Sequence, residues 1–359
     1  LTPTNDWSSY NVLFQETFDS AQWYPSHNND QIYPENMPDR WTVVDNTDND
    51  FFWTWSQTFI RDSRYGHIYT FLNSSSDKAS KRKGTMMLES SYYNTDNTGA
   101  LVDPPLEMDS YIQYGPFEAT ESESVILYFE QLHRFCCGSY DETRGAFLEV
   151  SNNGENWTSI PVHQAGINSS PISNPSIQHI NISEIAANSE TVYFRFHQIG
   201  HSHYYWIIDD IYIYEPYEHD TRLLNYWTDY TDYPTTTGYF NKSIYTAIPF
   251  HTPYFCFQPF IETNAKVVNC GKDMVSNARL KSTIAHNGTE IYNQTSPFIT
   301  SLESCAGDIL KITNSFQIPQ EQSSIGSYTH QGVIETDELD ATEENNLDTY
   351  NFNITSELH

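Results

Sequence analysis

Basic residues are scarce: the 359-residue chain has 17 Lys and Arg against 47 Asp and Glu, a formal charge of −30 at pH 7. Both halves share this acidity, which argues against a nucleic-acid backbone or an anionic membrane surface as partner. Long apolar runs are missing as well. Nothing approaches the roughly 20 residues of a membrane-spanning helix, so no membrane insertion is expected. No signal-peptide pattern is visible, and Leu1 reads as a processed start or a cut boundary. Cysteine is sparse, with five residues and neither a Cys-x-x-Cys pair nor a His/Cys zinc spacing. The chain also lacks a Gly-x-Ser-x-Gly elbow, a His-Glu-x-x-His, a P-loop and a dinucleotide fingerprint. Acid pairs say little about glycosidase chemistry in a chain this acidic. These absences point to a non-enzymatic protein of an extracellular setting rich in counter-cations.

Aromatic residues, by contrast, are abundant: 26 Tyr, 20 Phe and 8 Trp. With many Thr, Ser and Asn, they indicate an all-β chain, and its length exceeds what one core supports. The strongest strand is Tyr204-Tyr205-Trp206-Ile207-Ile208-Asp209-Asp210-Ile211-Tyr212-Ile213-Tyr214. Alternation puts Ile207, Asp209, Ile211 and Ile213 on one face, with Trp206, Ile208, Asp210, Tyr212 and Tyr214 on the other. Asp209 thus interrupts an apolar row, where a carboxylate needs a cation or several donors. Glu16 does the same in strand 11–18, on the face of Val12, Phe14 and Phe18. Two inward acids suggest one site where first and last strands meet, filled by Ca²⁺ before Mg²⁺. Backbone donors, arginine or ordered water would equally hold each acid separately. The turn after Asp45, Asn46-Thr47-Asp48-Asn49-Asp50, either lends oxygens to that site or is a solvated Asx-rich loop. Glu16, Asp45, Asp209 and Asp210 are the candidate metal ligands.

Along the chain, residues 1–10 read as a polar arm. Many short strands follow over 11–216, with a hairpin signal at Asn152-Asn153-Gly154, as in a sandwich or jelly roll. Lys78, Lys81, Arg82 and Lys83 read as a solubilising hairpin tip. His197, His201 and His203 lie close together in sequence without a third-ligand logic, and a hairpin loop is the simpler reading. Residues 217–240, rich in Tyr, form a linker or an edge strand. Seven short strands over 241–359, with Asn287-Gly288 as a turn, predict an immunoglobulin-like β-sandwich. Cys270 and Cys305 sit in turn-like contexts of that domain. Their expected disulfide would close a loop worth about 3–4 kcal/mol. Cys136 and Cys137 are either buried thiols or a vicinal bridge. Eight Asn-x-Ser/Thr sequons occur.

Four runs carry a family resemblance: Phe14 to Phe18, Pro38 to Asp45, Leu148 to Thr158, and Tyr205 to Ile211. Their order resembles the jelly-roll domains of the meprin/cleaved-adhesin kind in secreted Bacteroidota surface proteins, over about 11–215. The resemblance implies structural Ca²⁺ held by Glu16 and Asp209. The loop after Asp45 departs from the family's glycine-punctuated Asp repeat at Thr47 and Asn49. Residues 337–346, within a run of seven acids from Glu335 through Asp348, look like part of the cell-adhesion-related bacterial immunoglobulin-like domains that follow such jelly rolls. A Ca²⁺-stabilised adhesin of the cell surface is therefore expected, binding an extracellular glycan, matrix protein or neighbouring cell. The alternatives are a subunit that polymerises into a filament or surface layer, and the accessory domains of a secreted hydrolase. The surplus of aromatic residues predicts exposed rings at a contact or self-association surface.

Overall fold

The computed structural model describes residues 7–19, 21–23, 37–56, 60, 63–64, 72, 84–96, 98–134, 143–163, 174–200, 204–230, 247–249, 260–317 and 322–356. The Lys78–Lys83 cluster, Cys136, Cys137, Cys256, His201, His203 and an expected strand at 254–257 lie outside these residues. Two compact units divide the chain, one of Asn5–Glu215 and one of Pro216–His359. Each is a two-sheet β-sandwich.

The first unit contains β1 (Asn11–Glu16), β2 (Trp41–Asp45), β3 (Thr54–Ser56), β4 (Thr85–Leu88), β5 (Asp109–Phe117) and β6 (Ile126–Arg134). It continues with β7 (Gly145–Ser151), β8 (Thr158–His163), β9 (Ser176–Asn181), β10 (Val192–Ile199) and β11 (Tyr205–Glu215). One sheet has the order β3-β4-β11-β6-β9, with β1 also on β11; the other has the order β2-β5-β10-β7-β8. The first and last strands are neighbours, antiparallel, with Glu16 opposite Ile211. Strand β4 pairs with β11 at Trp206–Ile208 and β1 pairs with it from Ile211 onward. Between the sheets lies an aromatic core that includes Trp53, Phe129, Trp206, Trp41, Phe194 and Phe196. Full burial of such side chains is worth roughly 1.5–3 kcal/mol each. Edge-to-face contacts such as Trp53 on Trp206, 5.1 Å between centroids, orient them further.

Among the described residues much of the aromatic complement is taken up by this packing, and some rings are exposed. Trp23, Trp53, Trp55 and Trp206 are all but fully buried, and Tyr92 and Phe298 are the aromatic members of the exposed large hydrophobics among the described residues. Part of the N-terminal arm is packed as well. Trp7, in a 3-10 turn at Trp7–Ser9, stacks on Tyr212 at 4.2 Å and meets the edge of Tyr128.

The second unit contains β12 (Thr221–Tyr230), β13 (Ala247–Pro249), β14 (Phe260–Asn269), β15 (Val275–His286) and β16 (Thr289–Thr295). It closes with β17 (Ile299–Leu302), β18 (Gly307–Gln317), β19 (Gly326–Glu335) and β20 (Leu347–Thr355). Its sheets are β12-β14-β18 and β13-β20-β19-β15-β16, with β17 on β15. Part of the Tyr-rich segment is thus a true strand, β12, in register with β14. Strands β13 and β17 are additions to the expected set, too short to show a periodicity of their own. Asn287 and Gly288, both at positive φ, form the β15–β16 turn. In the core, Tyr226 lies over Gly332, where a Cβ would approach the ring to 2.4 Å. The Tyr226 hydroxyl is 2.6 Å from His330 Nε2, which also lies 2.9 Å from Ser282 Oγ.

Candidate functional site

Strand β11 does not keep the alternation expected of it. Its register on β6 shifts between Asp209 and Tyr212, and Asp210 takes a φ of +50°. This is a β-bulge, a device that inserts one residue and re-aims side chains. Trp206 and Ile208 precede it and Ile211 and Ile213 follow it, all in the main core, whereas Ile207 joins a separate cluster with Met87 and Leu132. The expected row of Ile207, Asp209, Ile211 and Ile213 is therefore broken at the acidic pair. Asp209 is fully buried and lies opposite Glu130 of β6. Asp209 Oδ1 accepts the Asp210 N–H, and Glu130 accepts the Tyr128 hydroxyl at 2.6 Å.

Acids concentrate around this junction. Burial raises the Tyr212 phenol above its ordinary range, and Asp210, Asp209, Glu130 and Asp19 raise it further by their charge. Glu16 is also raised, first by burial and then by Asp19, although the Phe18 N–H bonds its Oε1 at 2.7 Å. Gln22 donates to its other oxygen at 3.3 Å. Asp19 and Glu130 belong to this group of acids and were not singled out from sequence. Glu130 stood in a run that reads simply as apolar strand.

Asp45 lies apart, on β2 of the other sheet. Its Oδ1 accepts from Thr47 N and Oγ1, and its Oδ2 from Asn49 N and Phe51 N. The carboxylate is thus bound by its own Asx-type loop. Between Cys270 and Cys305, where a disulfide is expected, the structure forms no sulfur–sulfur bond. They lie on adjacent turns, with Cys305 N donating to Asn269 O. Cys305 adopts a φ of +62° with its sulfur 3.8 Å from Ser304 Oγ. Cys270 is buried, and burial pushes its thiol well above the usual range.

His197 belongs to β10 rather than to a hairpin loop, and it anchors a buried ionic knot. Glu149 of β7 accepts hydrogen bonds from Arg195 and Ser159, and lies 3.0 Å from His197 Nδ1. The other ring nitrogen is 2.7 Å from Asp109 Oδ1. Arg195 is held between the Tyr111 and Trp157 rings, at 4.4 and 4.1 Å. Burial alone would raise the Glu149 carboxyl; its partners, chiefly His197 and Ser159, overcome that and bring it down to about 2.

The closest gathering of potential metal ligands lies in the second unit. Glu218, His219 and Asp273 each offer a ligand atom, all within 4.8 Å of one another. Among the described residues this is the one such group of three, so Glu16, Asp45, Asp209 and Asp210 do not converge in that way. Nearby, Glu335, Glu338, Asp340, Glu343, Leu339 and Leu347 contribute to a groove of about 410 Å³. Leu339 is 84 % exposed there.

No family model and no curated protein matches the chain. Among solved structures it is similar to the K3 cleaved adhesin domain of Lys-gingipain from Porphyromonas gingivalis, at 14% identity and TM-score 0.32, covering 57% of this chain and 99% of that one. A CARDB domain of Pyrococcus furiosus is similar at 17% identity and TM-score 0.24, covering 39% of this chain and 99% of that one. A putative β-galactosidase of Bacteroides fragilis is similar at 10% identity and TM-score 0.36, covering 88% of this chain and 41% of that one. Among the described residues no helix is long and apolar enough to cross a membrane.

Proposed function

We propose that this chain is a non-enzymatic, secreted surface protein of adhesin type, in which a jelly-roll sandwich precedes an immunoglobulin-like one. The observation that carries this reading is the use made of its buried polar groups. Glu149, Arg195 and His197 are spent on one another within a sheet, and Tyr226, Ser282 and His330 on one another between the two sheets of the second unit. Groups tied in this way hold strands together rather than meeting a substrate in a cleft. The contact surface offered instead is the groove beside Leu339, where exposed apolar side chains are rimmed by carboxylates. That chemistry suits a protein ligand bearing basic and apolar groups better than a neutral glycan.

The same reading includes a structural Ca²⁺ at the β1–β11 junction, on which Glu16, Asp209 and Asp210, not gathered in the ion-free structure, would close with Asp19 beside them. A divalent cation there offsets the repulsion among buried carboxylates. Binding of the purified chain to immobilised extracellular matrix proteins and to a glycan array tests the adhesin role. The expected result is saturable binding to a matrix protein that weakens with salt and with Leu339→Asp. Hydrolysis of a glycoside or peptide by the chain, abolished by a single carboxylate substitution, would overturn the reading.

A further inference from the structure

Three segments of the second unit meet at one end of its sheets: 217–220, 270–273 and 338–341. Backbone hydrogen bonds lock them together. Lys272 N donates to Tyr217 O at 2.8 Å, and Asp273 N to Glu218 O at 3.0 Å. Cys270 N and Gly271 N both donate to Asp220 O, and Ala341 N donates to His219 O. Gly271 makes the approach feasible: a Cβ there would lie 2.7 Å from Asp220 N and 2.8 Å from Glu218 O. Adjacent residues of an extended chain point to opposite sides. Here the turn gathers Glu218 and His219 with Asp273, their ligand atoms within 4.8 Å of one another.

A second observation concerns the imidazole itself. His219 Nδ1 is shut off from solvent and makes no hydrogen bond. Buried polar atoms are nearly always satisfied, so an unbonded nitrogen on a partly buried imidazole that groups with two carboxylates calls for a partner. Glu338 lies near enough to add negative potential, and its Oε2 is fixed by the Ser276 N–H at 2.8 Å. One imidazole nitrogen and two carboxylates are a borderline donor set. It suits Zn²⁺ and its transition-metal neighbours, whereas Ca²⁺ takes six to eight oxygens.

We propose that Glu218, His219 and Asp273 bind a divalent transition-metal ion, Zn²⁺ by the chemistry of the donors, leaving its fourth position to water. The ion clips the 217–220 turn to the 270–273 turn at the end of the second sandwich. This inference is independent of the adhesin reading and of the Ca²⁺ junction in the first unit.

The test is calorimetric titration of the full chain with Zn²⁺ alone, after EDTA treatment and removal of the chelator. One site is expected whose affinity falls at least about tenfold in each of Glu218→Gln, Asp273→Asn and His219→Ala. The first two residues are exposed, so their amide variants keep the fold, which circular dichroism checks. Asp209→Asn leaves Zn²⁺ binding unchanged, and Ca²⁺ in excess does not displace it. Co²⁺ bound to the wild type gives a visible absorption that the same three variants lose. Zn²⁺ affinity unaltered by all three substitutions, displacement by Ca²⁺, or no measurable Zn²⁺ binding would each overturn the proposal.

Discussion

Replacing Glu149 by Gln reads the buried ionic knot directly. The carboxyl falls from 4.5 to about 2 on folding, because hydrogen bonds from His197, Ser159 and Arg195 outweigh the cost of its burial. A folded pKa below the unfolded one contributes stability that is complete above pH 4.5 and is lost as pH falls toward 2. The difference corresponds to about 3 kcal/mol at 1.36 kcal/mol per unit. The side chain is only 7% exposed, so solvent does not screen this away. Removing one partner of a buried pair costs a similar amount, about 3–5 kcal/mol, since Arg195 keeps its charge. In a unit of this size about 3 kcal/mol lowers the melting temperature by roughly 6–12 °C. The assay is paired thermal melts of wild type and Glu149→Gln from pH 7 to pH 2, followed by near-ultraviolet circular dichroism of the Trp157 environment. The other acids are common to both proteins, so the difference between the two melts isolates Glu149. The gap should be widest above pH 5 and close near pH 2. A gap that stays constant with pH, or one below about 1 kcal/mol at pH 7, refutes the reasoning.

EDTA should lower the melting temperature and added Ca²⁺ should restore the part lost from the first unit, while Asp209→Asn should reproduce that part and abolish its recovery with Ca²⁺; an unchanged melt in both cases discards the Ca²⁺ junction. In EDTA at pH 7, Glu16→Gln should instead raise the melting temperature. Burial holds the Glu16 carboxyl above 4.5, so the folded state carries a cost above its folded pKa that vanishes below pH 4.5, and the gain should vanish with it. Gly332→Ala drives a methyl into the Tyr226 ring and should destabilise the second unit by about 1–3 kcal/mol in urea melts; unchanged stability would show that the ring moves freely. Alkylation mapped by mass spectrometry should label Cys305 in the native protein and Cys270 only after unfolding, because burial raises the Cys270 thiol. A Cys270–Cys305 cross-linked peptide would contradict the reduced pair.

Strand β2 coincides with the expected Trp41–Asp45, and β11 stands at the centre of its sheet as its apolar run requires. Strand β5 was missed although it sits between β2 and β10. The strand runs through Gly115 and Pro116 to Phe117, residues that are uncommon inside a strand. The acids of β1 and β11 were legible as anomalies, since a charge in an apolar run stands out in one dimension.

The all-β class, the acidic character and turns such as Asn287-Gly288 were legible in the linear sequence. These follow from composition, period and local backbone preference, which act over a few residues. The tertiary structure alone decided how each acid is satisfied. The bulge at Asp210 sets where Asp209 points, four donors of its own loop occupy Asp45, and Gly271 lets Asp273 reach Glu218 and His219. A carboxylate's partners are chosen by distance in space, and in a sandwich its nearest neighbours are often far along the chain.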